Sequence, residues 1–474
     1  MSVYKHITVA VVLFFAVFNI TVQPALSQND GGDRPNIVFI LTDDMGYGDV
    51  GVFGAENINT PNIDRLAKEG IKFTDFYSAS SVCSPSRAAL MTGRYPQRMG
   101  INSVFFPQSF TGMPTSERTI AEVLNKAGYT TGLVGKWHLG HRKKYLPLQR
   151  GFDEYFGIPY SNDMNMVVYM RGNEVEQYDV DQEYITKTYT EESVSFIEDH
   201  KTDPFFLYVA HNMPHVPIYA SDEFKGTSER GLYGDVIQEI DWSVGRILQK
   251  LEGEKLLKET LVVFSSDNGP WLVMRELGGS NGILRGGKQY VFEGGVRVPT
   301  LAMWKGHIPE GKVYGEMATH MDWFPTLANL ANASYPKDRP IDGDDISDVL
   351  LGDGEREADE FLYMQLSDLR GYRKGKWKVK EPYSGYGGAP WKIEVPPHDS
   401  LLFNLEKDPG ESNNLFNKYP EKARSLFEQM HEKYKSLGEL PPSLETRQPA
   451  DKSFTDTLHN RYGDDYYKKN FNKK

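Results

Sequence analysis

The chain of 474 residues has one cysteine, Cys83, so no disulfide can form within it. That excludes the small cross-linked scaffolds common among secreted proteins, and leaves chain length and a large core to stabilise the fold. An apolar run of the ~20 residues needed to cross a bilayer is also missing. The longest uncharged, mostly apolar stretch covers residues 7–20, follows Lys5 and His6, and leads to the small residues Ala25 and Ser27. This order predicts a signal peptide over residues 1–27 and no transmembrane anchor. An excess of positive charge is lacking as well. With 53 Lys and Arg against 65 Asp and Glu, the formal net charge is -12. That argues against nucleic acid binding through the overall surface and requires any anionic ligand to find a locally basic pocket. Internal repeats and long linkers are absent.

What is present is ordinary globular patterning. Apolar, β-branched or aromatic runs each end directly in polar residues: 36–41 before Thr42-Asp43-Asp44, 131–134 before Gly135-Lys136-Trp137-His138, 205–210 before His211-Asn212-Met213-Pro214-His215, and 261–264 before Ser265-Ser266-Asp267-Asn268-Gly269. Helical periodicity lies between them at 61–69, 117–126, 191–198 and 232–251. Alternation of this kind predicts an α/β fold with a large, mostly parallel or mixed sheet flanked by helices on both faces. Ligands in such folds bind beyond the carboxyl ends of the strands, where these polar clusters would gather. From residue 361 the runs shorten, a Gly/Tyr/Trp-rich loop covers 383–391, and an amphipathic helix follows near 420–437. The expected organisation is a large α/β domain over 28–360 and a smaller α+β domain over 361–474, whose polar tail begins near Thr455. The 383–391 loop could form an aromatic platform for sugar rings or pack beneath itself.

The segment Cys83-Ser84-Pro85-Ser86-Arg87 combines several chemical features. Ser84 can cap a helix whose first turn begins at Pro85, placing Cys83 beside a helix N-terminus that favours negative charge. Arg87 follows one turn later as a fixed cation. Asp43, Asp44, Asp267 and Asn268 offer oxygen ligands at the ends of two predicted strands and suit a hard divalent cation. Taken singly, each of these residues is as well explained as a turn, a cap or a surface charge.

Taken together, they resemble the sulfatase family. Its signature Cys-x-Pro-x-Arg, extended to Thr-Gly-Arg, reads here as Cys83-Ser84-Pro85-Ser86-Arg87 through Thr92-Gly93-Arg94. Further family-like segments follow in order: Asn59-Thr60-Pro61-Asn62-Ile63-Asp64-Arg65-Leu66, Gly135-Lys136-Trp137-His138-Leu139-Gly140, Gly157-Ile158-Pro159-Tyr160-Ser161, Glu293-Gly294-Gly295-Val296-Arg297-Val298-Pro299 and Asp408-Pro409-Gly410-Glu411. The similarity is greatest to the arylsulfatase A-like branch. It implies an alkaline phosphatase-like fold and the oxidation of Cys83 to formylglycine by a maturation enzyme. It also implies one Ca2+ held by Asp43, Asp44, Asp267, Asn268 and the modified Cys83. By the same resemblance Arg87, Lys136, His138, His215 and Lys288 are catalytic, while Ser161 and His211 face substrate. His215 or Lys288 would protonate the leaving oxygen, and His138 would orient the hydrated aldehyde. Arg297 reads as support for the Gly294-Gly295 turn. The implied reaction is hydrolysis of a sulfate monoester on a sulfated carbohydrate or an aryl sulfate, in the periplasm or outside the cell. Two rival readings are a phosphodiesterase or phosphonate hydrolase of the same superfamily, and a non-catalytic protein binding sulfated glycans. A cysteine phosphatase fits poorly, because Arg87 lies four residues after Cys83 rather than six.

Overall fold

Alternation along the strand Asn36–Thr42 shows how the architecture arises. Val38 and Ile40 join one core with Leu207, Val209, Val262 and Phe264; Ile37, Phe39 and Leu41 join another with Phe206, Tyr208, Leu261 and Val263. A strand buried on both faces belongs inside a sheet covered on both sides. The computed structural model describes residues 34–164, 167–388 and 393–446, so the expected signal peptide and the tail from Thr455 lie outside the described residues.

Ten strands form the main sheet. From one edge they are Lys312–Tyr314, Ile71–Phe73, Thr300–Met303, Thr260–Ser266, Asn36–Thr42, Phe205–Ala210, Thr130–Gly135, Glu154–Gly157, Val168–Arg171 and Glu174–Tyr178. Thr260–Ser266, Asn36–Thr42, Phe205–Ala210, Thr130–Gly135 and Glu154–Gly157 run parallel, and Thr300–Met303 runs against them. The sheet is therefore mixed with a parallel centre, as the sequence predicts. On one face the 22-residue helix Leu232–Gly253 buries Val236, Ile240, Val244, Ile247 and Leu251, spaced three to four residues apart. On the other lie Cys83–Thr92, Ile120–Lys126 and Trp323–Leu330. The periodic stretch expected from residue 117 becomes helical only at Ile120. Thr119 caps that start, accepting from the Glu122 N–H at 3.0 Å, in a reciprocal capping box.

Register places the chemistry. Leu41 pairs with both Ala210 and Ser265, and Gly135 pairs with Ala210, so the four central strands end level. The ladder continues past them: Lys136 N–H donates to Ala210 O, His211 N–H to Leu41 O and Asp267 N–H to Thr42 O, at 2.7–3.0 Å. Gly135 makes this closeness possible. Its φ is +118°, and a Cβ there would meet the Ala210 carbonyl oxygen at 2.0 Å.

A four-stranded antiparallel sheet, Glu360–Gln365, Asp368–Lys374, Trp377–Lys380 and Leu401–Asn404, packs with the helix Pro420–Ser436. Its core is continuous with earlier residues: Phe361, Tyr363, Leu402 and Met430 share one apolar cluster with Tyr77, Ala89, Val296 and Met321. A buried ionic cluster lies along the same boundary. Glu293 Oε1 accepts from Lys378 Nζ at 2.9 Å and Tyr363 OH at 2.7 Å, while its Oε2 accepts from Tyr77 OH. Lys378 also reaches Glu411 at 2.9 Å, and Arg373 and Arg297 both pair with Asp75. Gly294 and Gly295, expected in a turn, lie instead in the short helix Glu293–Val296, and Arg297 directly after it donates to Thr74 O at 2.7 Å. Tyr383 packs against His398, with the Arg370 guanidinium 4.6 Å from its ring centre, so this end of the aromatic loop is internally packed.

Candidate active site

Level strand ends bring Asp43, Lys136 and Asp267 to one edge of the sheet, although they lie up to 224 positions apart in sequence. Asp44 follows in the left-handed conformation at φ 65°, which aspartate tolerates better than most residues. Its N–H donates to Asp267 Oδ1 at 3.2 Å, and its Oδ1 accepts from Asn268 Nδ2 at 2.7 Å. Cys83 enters from the helix on the neighbouring face, with Sγ 3.2 Å from Asp43 Oδ1 and 3.7 Å from Lys288 Nζ.

The helix start differs from expectation. Cys83 itself opens the helix Cys83–Thr92, Val82 occupies the cap in extended conformation, and Ser84 caps nothing. The Ser84 hydroxyl instead accepts the Phe105 N–H at 3.1 Å, because a loop packs over the first turn and competes for it. Cys83 remains in the first turn, where unpaired amides favour negative charge.

Positive groups interleave with the acids. Arg87 Nε lies 2.9 Å from Asp267 Oδ2, and its Nη1 donates to Lys136 O at 3.1 Å. Lys136 Nζ pairs with Asp43 Oδ2 and donates to Ser161 Oγ at 3.2 Å. Lys288 Nζ donates to Asp44 Oδ2 at 2.7 Å. All these side chains are buried. Burial opposes ionisation of Asp43, but Lys136, His215, Arg87 and Lys288 hold its carboxyl well below the usual range. Burial and the Asp43 charge push Asp267 up to about 7. Cys83 is driven well up by burial, then by Asp267 and Asp43, so an unmodified thiol here stays protonated.

The histidines occupy two distinct sides. His138 Nε2 lies 2.9 Å from Phe105 O, which can only accept; Nε2 therefore carries the proton, and Nδ1, buried without a hydrogen-bond partner among the described residues, carries the lone pair. Burial, Lys136 and Arg87 lower its pKa well below the ordinary value. His215 Nδ1 donates to Val216 O at 2.6 Å, leaving Nε2 3.6 Å from Asp44 Oδ2, and burial followed by Lys288 lowers its pKa. His211 is placed elsewhere. Its Nε2 lies 3.4 Å from Ser243 Oγ on the long helix, its ring packs near Tyr189, and among the described residues no side-chain hydrogen bond joins it to the cluster around Cys83.

Trp271 was not among the residues singled out from sequence. Its ring centre is 4.6 Å from Lys288 Nζ and 5.6 Å from the His215 ring, so it packs against both groups beside Asp44. The only sequence signal was position: an aromatic residue three places beyond Asn268, indistinguishable there from ordinary core packing.

The donor set fits a metal. Ligand atoms of Asp43, Asp44, Asp267 and Cys83 all lie within 4.8 Å of one another, and His215 shares a second such group with Asp44 and Cys83. Asn268 Oδ1 is buried without a hydrogen-bond partner among the described residues. Three converging carboxylates and an unused amide oxygen match the preference of a hard divalent cation.

Comparisons with known proteins show what the chain is similar to. The family model Sulfatase matches residues 35–333, and that for the C-terminal part of N-sulphoglucosamine sulphohydrolase matches 286–439. N-acetylgalactosamine-6-sulfatase of Mus musculus is 42% identical over 422 residues, covering 80% of this chain and 81% of its own. Arylsulfatase A of Homo sapiens is 40% identical, covering 80% and 83%. Among solved structures, the PsFucS1 sulfatase of Pseudoalteromonas sp. superposes with a TM-score of 0.78 at 28% identity, covering 86% of this chain and 91% of its own. Ps i-CgsB, solved in complex with k-i-k-neocarrahexaose, gives 0.76 at 32%, covering 90% and 98%.

Proposed function

Since the chain belongs to the sulfatase family and is a sulfuric ester hydrolase, we propose that it removes sulfate from a sulfated carbohydrate through a formylglycine made from Cys83. The observation that carries this reading is the placement of the chain's one cysteine, in a helix first turn, between Asp43 and Lys288 within the buried ionic cluster. The carbohydrate class rests on the relatives, whose names include a sugar sulfatase and a structure holding an oligosaccharide.

When present, the hydrated aldehyde supplies one oxygen to attack sulfur and a second whose deprotonation expels sulfate and restores the aldehyde. The cation, proposed as Ca2+, would be held by Asp43, Asp44, Asp267, Asn268 and the oxygen at position 83, and would offset charge on the sulfuryl oxygens. Around them, Arg87, Lys136 and Lys288 fix positive charge before reaction begins, so little reorganisation is needed as charge develops. His138 Nδ1, which carries a lone pair, would accept a proton from the group at position 83. On the other side His215 or Lys288 delivers a proton to the leaving alcohol oxygen as its bond to sulfur breaks. Ser161 holds Lys136 in place, and His211 supports the strand end behind the site. Export through the apolar segment at 7–20 and maturation by a formylglycine-generating enzyme belong to the same proposal.

Mass spectrometry of the peptide containing Cys83, after co-expression with a maturation enzyme, is expected to show the aldehyde. An unmodified thiol in a fully active preparation would overturn the mechanism. Sulfate and phosphate esters of one alcohol, compared under matched conditions, are expected to favour sulfate; the reverse preference would favour the phosphorus-acting branch.

A further inference from the structure

Several cations of this surface are paired with acids. Lys225 lies 2.8 Å from both Glu183 and Asp222, Arg171 lies 2.7 Å from Glu192, and Lys250 pairs with Glu198 and Glu254. The run Arg142-Lys143-Lys144 is different. All three residues are exposed, and among the described residues no carboxylate oxygen lies within 4.0 Å of any of them. In a chain of net charge -12, three adjacent unpaired cations repel one another and contribute nothing to the fold through ion pairing.

Their position is set by the active site. The run begins four residues after His138, and its far end is fixed where Trp137 Nε1 donates to Tyr145 O at 2.8 Å. Met113 N–H donates to Leu139 O at 2.8 Å, and Phe105 O accepts from His138, so the loop carrying Phe110 borders the same edge. The Arg142 guanidinium lies 4.5 Å from the ring centre of Phe110, which is 53% exposed. On the inner side, His141 packs edge-on against Tyr160, the neighbour of Ser161.

We propose that Arg142, Lys143 and Lys144, with Phe110, form a docking strip for the chain of a sulfated polysaccharide, so that the substrate is an extended polyanion rather than one sulfated sugar. This rests on the carbohydrate sulfatase reading given above. Sulfate groups along the chain complement the three cations, and the apolar face of a sugar ring complements Phe110 beside the Arg142 plane. At physiological salt, screening limits attraction to ~8 Å, so the local strip rather than the chain's net charge governs approach. A small ester carries one sulfate and no chain to complement three adjacent cations.

The test uses the full, matured chain carrying R142Q/K143Q/K144Q, assayed with 4-nitrophenyl sulfate and with chondroitin sulfate or ι-carrageenan as competitors of that reaction. The triple variant is expected to keep kcat/KM for the small ester within about twofold, because rim charges act chiefly on approach of a charged partner. Inhibition by one or both sulfated polymers is expected to weaken about 10- to 100-fold at low salt and to lose most of its salt dependence. Phe110→Ala should weaken inhibition by the same polymer several-fold, roughly the loss of one stacked ring, with its salt dependence kept. Desulfated polymers should not compete with the parent. Unchanged inhibition by both sulfated polymers in the triple variant, or an equal loss on ester and polymer, would overturn the strip. Failure of the parent to release sulfate from any ester would instead overturn the catalytic reading.

Discussion

Two buried ionic clusters in this molecule use the same ingredients differently. Asp43, Asp44 and Asp267 meet Arg87, Lys136 and Lys288 at the strand ends; Asp75, Glu293 and Glu411 meet Arg297, Arg373 and Lys378 where the small sheet joins the large one. Each holds three carboxylates and three cations. In the second cluster a cation stands between acids: Lys378 bridges Glu293 and Glu411, and Arg297 lies between Asp75 and Glu293. In the first, Arg87 likewise stands between Asp43 and Asp267, but the three acids also converge on one another and on Cys83, and Asn268 Oδ1 is left without a hydrogen-bond partner among the described residues. Equal formal charge therefore does not distinguish a strut from a catalytic centre. Arrangement does: in one the acids are held apart by cations, whereas in the other they also converge into a donor set that fits a hard divalent cation.

The largest test breaks chemistry without breaking structure. Cys83→Ala is expected to reduce turnover at least about 10⁴-fold, more than about 5 kcal/mol in barrier, while thermal unfolding changes little. Retained turnover in a correctly folded variant would remove Cys83 from the mechanism.

Glu293→Gln should do the opposite. Removing one member of a paired buried cluster costs about 3–5 kcal/mol of stability, read by denaturant unfolding, with turnover per folded molecule largely kept. The pH dependence has a definite sign. Burial opposes ionisation, but Lys378, Arg373 and Arg297 hold Glu293 at about 2, below its ordinary 4.5. Its stabilising contribution is thus complete above about pH 4.5 and is lost as pH falls through about 2, a dependence the glutamine variant should lack. Equal acid sensitivity in both proteins would show that Glu293 is not the strut.

Metal removal sharpens the contrast at a smaller scale. Dialysis against a chelator should lower stability by about 2.7 kcal/mol relative to protein held at 100 times the dissociation constant, and calcium should restore it. The Glu293→Gln penalty should be the same with and without the ion. Smallest is Trp271→Phe, which weakens one ring–cation contact by about 1 kcal/mol. It should lower kcat/KM about fivefold and displace the limb of the pH–rate profile that reports proton delivery; a changed rate with an unmoved profile would make Trp271 a packing residue only.

Much of this was legible in the chain because the motifs are local. Cys83 to Arg87 fit one helical turn, and each apolar run ends just before its polar cluster, so strand and chemistry could be read together. Ser84 shows where local reading fails: a serine before Pro85 has every property of a cap, but the 105 loop takes its hydroxyl. His211 reads in sequence as a substrate-facing residue beside the catalytic candidate His215, yet the fold turns it toward Ser243 and brings His215 beside Asp44. Trp271 carried no distinguishing signal because its importance lies wholly in what packs against it.

The sequence by itself determined the residue types, the order of strands and helices, and the need for a core without disulfides, since these depend on composition and short-range periodicity. Tertiary structure alone decided that four strands end level, that three carboxylates converge while three others are separated, and that Arg142, Lys143 and Lys144 have no ion-pair partner among the described residues. Those outcomes depend on register and on contacts between residues distant in sequence, and a difference of one residue in strand pairing would have turned the same side chains to opposite faces.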